Sequence, residues 1–209
     1  RVHQLQQQLA NLAPPATLIM RELPTDGQRQ THIHLRGSFL NPGEAVSPGV
    51  PGVLHELPPE SPANRLGLAR WLVAPENPLT PRVAVNHVWK HLFGAGLVPT
   101  SNDFGVRGER PTHPQLLDYL AGETIRLGWS RKALIKTMVM SATYQQSSRH
   151  RPELVDVDAN NLLLYRQNRF RIEGEIVRDV QLAASGLLAP VLGGPSVFPP
   201  IPPGITDQN

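Results

Sequence analysis

The side chains best placed to do chemistry gather in the stretch 82–128, RVAVNHVWKHLFGAGLVPTSNDFGVRGERPTHPQLLDYLAGETIRLG. Its loop, GAGLVPTSNDFGVRGERPTH, brings Asp103, Arg107, Glu109, Arg110 and His113 close together in sequence. A carboxylate beside an imidazole is the pairing that general acid and base catalysis uses. Loops carried on rigid helices are also where binding and catalytic residues concentrate. The structural alternative is that these charges pair with one another and pin a long loop, whose tight turns Gly105 and Gly108 permit.

Three further residues are out of place for a simple core. At about 100° per residue, Val85, Val88, Trp89 and Leu92 share one face of a helix, with Phe93 beside them. Arg82 falls on the edge of that apolar arc and Asn86 lies next to it. A guanidinium there needs a carboxylate or several carbonyls to offset its desolvation. Glu173 projects near the centre of the apolar face set by Ile172, Ile176, Val180, Ala183 and Leu187. The reading is a buried Arg82–Glu173 pair tying two helices together, or a carboxylate lining a polar cavity. Arg82, Asn86, Asp103, Glu109, Arg110, His113 and Glu173 together form the candidate polar cluster.

His87 and His91 stand four apart and could chelate a metal from one helix. They lie roughly opposite the Trp89 face and no third ligand accompanies them, so a surface pair is expected and no metal site. No nucleophile elbow or phosphate-binding loop occurs in the sequence. Arg166, Arg169, Arg171 and Arg178 make the last third locally basic, which suits a solvated face or the docking of an anionic partner.

The elements that must hold these residues are mostly helices. Val2, Leu5, Leu9 and Leu12 recur at helical spacing before Pro14 and Pro15, as the end of an upstream helix would. ATLIMRE (16–22) and THIHLRG (31–37) read as the two strands of a hairpin about the turn TDGQ. Residues 41–62 read as an extended connector rich in proline and glycine. Ser61-Pro62, Thr80-Pro81 and Thr112-His113-Pro114 each punctuate a helix start, with Thr112 and Gln115 fitting a capping box. Gly94 and Gly128 occupy the places of C-terminal glycines, and Ser130 opens another helix carrying Leu134, Ile135, Met138, Val139 and Ala142 on one face. After a loop at 149–161 comes a short helical stretch, LLLYRQ, and then a helix from about Arg171 to Ser185. The expected fold is mainly α: a multi-helix orthogonal bundle with a small N-terminal β-hairpin and Pro/Gly-rich connectors. Its expected parts are an upstream helix end (1–13), the hairpin and connector (14–60), a helical domain (61–190) and a Pro/Gly-rich tail (191–209).

Composition narrows the function classes. In 209 residues with 40% hydrophobic content there is material for a core. A net charge of +3 is too small to imply a nucleic-acid partner. The chain has no cysteine, which excludes disulfides, thiolate metal sites and thioether attachment of haem within it. No apolar run is long enough to span a bilayer, and the first residues carry no signal peptide. The chain is read as a piece of a longer protein.

The motifs NPLTPRVAVNHVWKHLFGAGLVPTSNDFGVRGERPTHPQLLDYLA, LGWSRKALIKTMVMSATYQQSS, NNLLLYRQNRFRIEGEIVRDVQLAASGLL and GGPSVFPP follow one another in order, preceded by IMRELP and HIHLRGSFLNPGEAVSPGVPGVL. In these the chain resembles the planctomycete cytochrome-C-associated domain family, a domain of unknown function of large exported proteins. Where the family commonly has arginine, this chain has His87. The resemblance implies an exported, periplasmic or envelope-associated parent protein with other domains as partners, and with any c-type haem in a separate domain. It implies no catalytic residues. The expected role is therefore a non-catalytic structural or interaction module. Its alternatives are a polysaccharide-acting enzyme using the loop from Asp103 to His113, and a docking module for a redox protein.

Overall fold

The computed structural model describes residues 2–11, 17–24, 27, 29–195 and 198. Leu12, the Pro14-Pro15 helix stop, most of the TDGQ turn and the tail beyond 198 lie outside the described residues. The elements are α1 (Val2–Asn11), β1 (Thr31–His34), β2 (Pro42–Val46), α2 (Arg65–Leu72), α3 (Thr80–Phe93), α4 (Pro114–Arg126), α5 (Arg131–Val139), α6 (Ala142–Gln145) and α7 (Gly174–Ala184). The architecture is mainly helical with one two-stranded antiparallel sheet, and the chain divides into two compact units, residues 1–145 and 146–209.

The hairpin is present, and β1 falls within the expected strand 31–37, but its partner is not the expected one. β1 pairs with β2, Thr31 opposite Val46 and His32 opposite Ala45, while residues 17–24 form no strand. The turn between them is tight because Arg36 and Gly37 both adopt the left-handed region, at φ 52° and 75°. Pro42 can begin β2 because an edge strand's first residue needs no N–H for the ladder. The connector beyond β2 is tied down by an aromatic stack: the rings of His55 and Trp71 lie 4.7 Å apart, and the Trp71 indole donates to the His55 carbonyl at 2.8 Å.

The core lies within the first unit. Val85, Trp89 and Phe93 of α3 meet Leu117, Leu120 and Ala121 of α4 and Leu134 and Met138 of α5, all buried. α3 packs chiefly on α4, and α5 packs on both. The Trp89 and Phe93 rings stack at 3.9 Å, and Tyr144 meets Phe93 edge-on at 5.5 Å. Gly94 closes α3 in the left-handed conformation at φ 84°, and Gly128 follows α4 at φ 58°, as their positions in the sequence require. Ser130 caps α5 by accepting from the Ala133 N–H.

Other helix starts are capped differently from the expectation. Asn64, and neither Ser61 nor Pro62, caps α2, its side chain accepting from the N–H groups of Leu66 and Gly67. Asn77 plays that part for α3, accepting from the N–H groups of Leu79 and Thr80 at 3.0 Å each. The Thr112 capping box does not form, because the Thr112 hydroxyl donates to the Leu97 carbonyl and His113 is the residue that precedes α4.

In the second unit, LLLYRQ is not helical. The Asp158 carboxylate takes the N–H groups of Leu162 and Leu163 at 2.7 Å, and the buried Asn161 amide bonds the Arg166 carbonyl. Side chains thus satisfy the backbone there, and Asn161 and Leu164 turn the chain through the left-handed region. α7 starts at Gly174, with Glu173 as its exposed N-terminal flank and not on its apolar face.

Candidate functional site

Asn86 is the pivot of the loop between α3 and α4. It is wholly buried, and its amide makes a two-way bridge to the loop. The side-chain N–H donates to the Val98 carbonyl at 3.0 Å, and the side-chain oxygen accepts from the Val98 N–H at 2.8 Å. This copies the reciprocal bonding of one strand pair, so a helix side chain holds a segment that has no strand partner. A Cβ on Gly96 would stand 2.6 Å from the Val98 carbonyl and 2.8 Å from the Asn86 amide, which is why the residue there is glycine.

Past Val98 the loop is closed by neutral hydrogen bonds. The Leu97 carbonyl accepts from the Thr112 N–H at 2.8 Å. The Thr100 hydroxyl donates to the Asp103 carbonyl and accepts from the Glu109 N–H, both at 2.9 Å. The half-buried Asp103 carboxylate accepts from the Gly105 N–H at 2.8 Å. His113 Nδ1 lies 3.0 Å from the Thr112 hydroxyl. Arg107, Glu109 and Arg110 are exposed. The expected pairing of charges within the loop is absent: the ion pairs among the described residues are Glu22–Arg65, Arg82–Asp118, Glu123–Arg126 and Arg151–Glu153. Short polar side chains reach the backbone groups of such a loop more economically than long, flexible, solvated ones.

Arg82 takes a partner that the sequence did not single out. Its guanidinium donates to Asp118 of α4 at 2.8 Å and to the Pro78 carbonyl, at a half-exposed position. The buried partnership with Glu173 does not form, since Arg82 is committed to Asp118 and Glu173 is exposed. The structure brings Asn86 together with the loop holding Asp103 and His113. It sets Arg82 at the start of α3, and places Glu173 in the second unit.

Among the described residues, two concave sites lie elsewhere, and none of the seven candidate residues lines either one. A groove of about 290 Å³ runs along α3 past His87 and His91 to Trp129, Arg131 and Leu134. Among the described residues no three side chains are grouped as metal ligands would be. A larger cleft of about 680 Å³ opens between the hairpin, the segment 21–23 and the start of α2. Arg21, Glu22, Arg29 and Arg65 line it, and none of them stood out in the sequence, because they come from three separate segments. The Arg65 guanidinium, bonded to Glu22 at 2.7 Å, holds that carboxyl below its usual range.

No curated protein matches the chain, and no solved structure matches it. The family model of PSD1, a protein of unknown function (DUF1553), matches residues 64–209. That match takes in α2 to α7 and the loop built on Asn86. The chain therefore belongs to the PSD1 (DUF1553) family of proteins of unknown function.

Proposed function

We infer that the chain is a non-catalytic interaction module of a larger exported protein of planctomycete type, packing on that protein's other domains. The observation that carries this reading is the fate of the acid–base candidates. Asn86 and Asp103 are hydrogen-bonded into the loop, His113 lies against Thr112, and neither cavity is lined by any of them. Groups so engaged shape a surface, and these acid–base candidates face neither of the two cavities.

Exposed apolar surface supports the docking half of the reading. α7 is amphipathic, yet Ile176, Val177 and Val180 on it are 45%, 40% and 58% exposed. Leu18, Ile19 and Met20 are exposed in succession at 102%, 80% and 85%. Contiguous apolar exposure of this kind marks a contact surface. The module is read as periplasmic or envelope-bound, with any c-type haem of its parent in a separate domain, as this chain has no cysteine for thioether bonds. The reading also takes α3, α4 and α5 as an orthogonal bundle, whose crossing angles residual dipolar couplings would measure.

Hydrogen exchange compares the isolated chain with the intact parent protein. Slower exchange in 17–24 and α7 within the parent is expected, and in the isolated chain Val180→Lys should leave the fold intact. Equal exchange in both settings, or rapid turnover of a polysaccharide by the isolated chain, would overturn the reading.

A further inference from the structure

The cleft beside the hairpin carries a charge imbalance that its described neighbours do not resolve. Three guanidinium groups, Arg21, Arg29 and Arg65, line it, and among its described lining residues Glu22 is the one carboxylate. Glu22 is engaged with Arg65 at 2.7 Å. Arg21 and Arg29 have no ion pair or side-chain hydrogen bond among the described residues. Two uncompensated cations therefore face one concave space, where low-dielectric walls concentrate their field. The guanidinium fork matches the oxygens of a carboxylate or phosphate two at a time.

The size and lining of the space refine the ligand. At about 680 Å³ the cleft falls within the range of roughly 300–1,000 Å³ common to sites for small organic molecules. Val46, Leu57 and Leu68 supply an apolar wall that a bare inorganic anion would leave uncovered. We propose that this cleft binds a dianionic organic oxyanion, a phosphate monoester or a dicarboxylate, with Arg21 and Arg29 holding the charge and the apolar wall holding the organic body. The cleft lies wholly within residues 1–145 and does not depend on the docking role of α7.

Calorimetric titration of the whole chain at low salt with phenyl phosphate, phthalate and inorganic phosphate tests this. One-to-one binding of phenyl phosphate or phthalate is expected, with Kd on the order of 0.1 mM. Inorganic phosphate is expected to bind more weakly. The tighter of the two organic ligands identifies the acidic group that the cleft takes. Arg21→Gln and Arg29→Gln each weaken binding about tenfold while leaving the melting temperature unchanged, because neither guanidinium has an ion pair or side-chain hydrogen bond among the described residues. Glu22→Gln strengthens binding, since it frees the charge of Arg65. A basic surface attracting anions without selectivity would respond equally to Arg149→Gln, and that result overturns the proposal. So does inorganic phosphate binding as tightly as phenyl phosphate, or the absence of any binding up to about 10 mM.

Discussion

At the scale of single residues, Asn86 matters most for stability. Both its amide atoms are engaged with Val98 and no water reaches them. Asn86→Ala would leave a buried N–H and a buried carbonyl without partners, and a loss of about 2–4 kcal/mol in urea-unfolding free energy is expected. A loss below about 0.5 kcal/mol would mean that the loop finds another anchor. The two glycines at 96 and 122 should respond in opposite directions. Gly96→Ala drives a methyl against the Val98 carbonyl and should cost about 1–3 kcal/mol. Gly122→Ala places it in open space on α4 and should stabilise by about 0.5–1 kcal/mol through the unfolded chain. A Gly96→Ala variant melting at or above the native temperature would refute the close approach at Gly96.

Among the elements, α3 depends on a cap that lies before its first residue. Asn77 is buried and accepts from two N–H groups and from the Thr80 hydroxyl at 3.2 Å. Asn77→Ala should therefore cost about 1–2 kcal/mol, near the upper end for a cap, with Asn77→Asp retaining most of it. Thermal denaturation of both variants measures the difference, and equal losses would point to the amide N–H, which donates to the Trp71 carbonyl at 3.4 Å, and not to capping as the cause. The last turn of α4 carries an acid-sensitive contact. Two hydrogen bonds from Arg126 lower the carboxyl pKa of Glu123, and the same pairing raises that of Arg126. Because the folded carboxyl binds its proton less readily than the unfolded one, the contribution is whole above the usual glutamate range. It is lost as pH falls through the lower folded value. Urea midpoints compared at about pH 5 and about pH 3 should fall less for Glu123→Gln than for the native chain, with the gap narrowing in salt.

For the molecule as a whole, the distribution of core residues decides what can fold alone. Every buried hydrophobic side chain from Trp71 to Met138 belongs to residues 1–145, whereas the buried residue described in 146–209 is Asn161. The expected outcome is that residues 1–145 unfold cooperatively by themselves, while 146–209 alone show little protection from hydrogen exchange. Far-UV circular dichroism during melting, together with exchange, checks both halves. A non-cooperative melt for 1–145 would show that its core is incomplete.

Much of the architecture was legible in the order of residues. The apolar period of α3, α4 and α5, the glycines after α3 and α4, and the serine before α5 are local signals, fixed by neighbours within a turn or two of helix. So were the mainly helical composition and the presence of a hairpin. The partner strand in that hairpin was not legible, because 16–22 and 42–46 are both within reach of 31–34, and the chain pairs with the second after turning through the left-handed region at Arg36 and Gly37. Pro81 and Pro114 stand in the first turns of α3 and α4 as their spacing predicts, whereas the capping side chains of α2 and α3 are Asn64 and Asn77 and not the hydroxyls beside proline. The candidate polar cluster shows the same division. Sequence marked Asn86, Asp103 and His113 as polar residues beside a core, yet their use depends on which backbone groups stand within hydrogen-bonding distance. The pairing of Arg82 with Asp118 and the meeting of Arg21, Arg29 and Arg65 on one cleft join segments far apart in the chain. Local periodicity fixes which face of a helix is apolar; contacts between distant segments, which only the tertiary structure supplies, decide which polar groups meet.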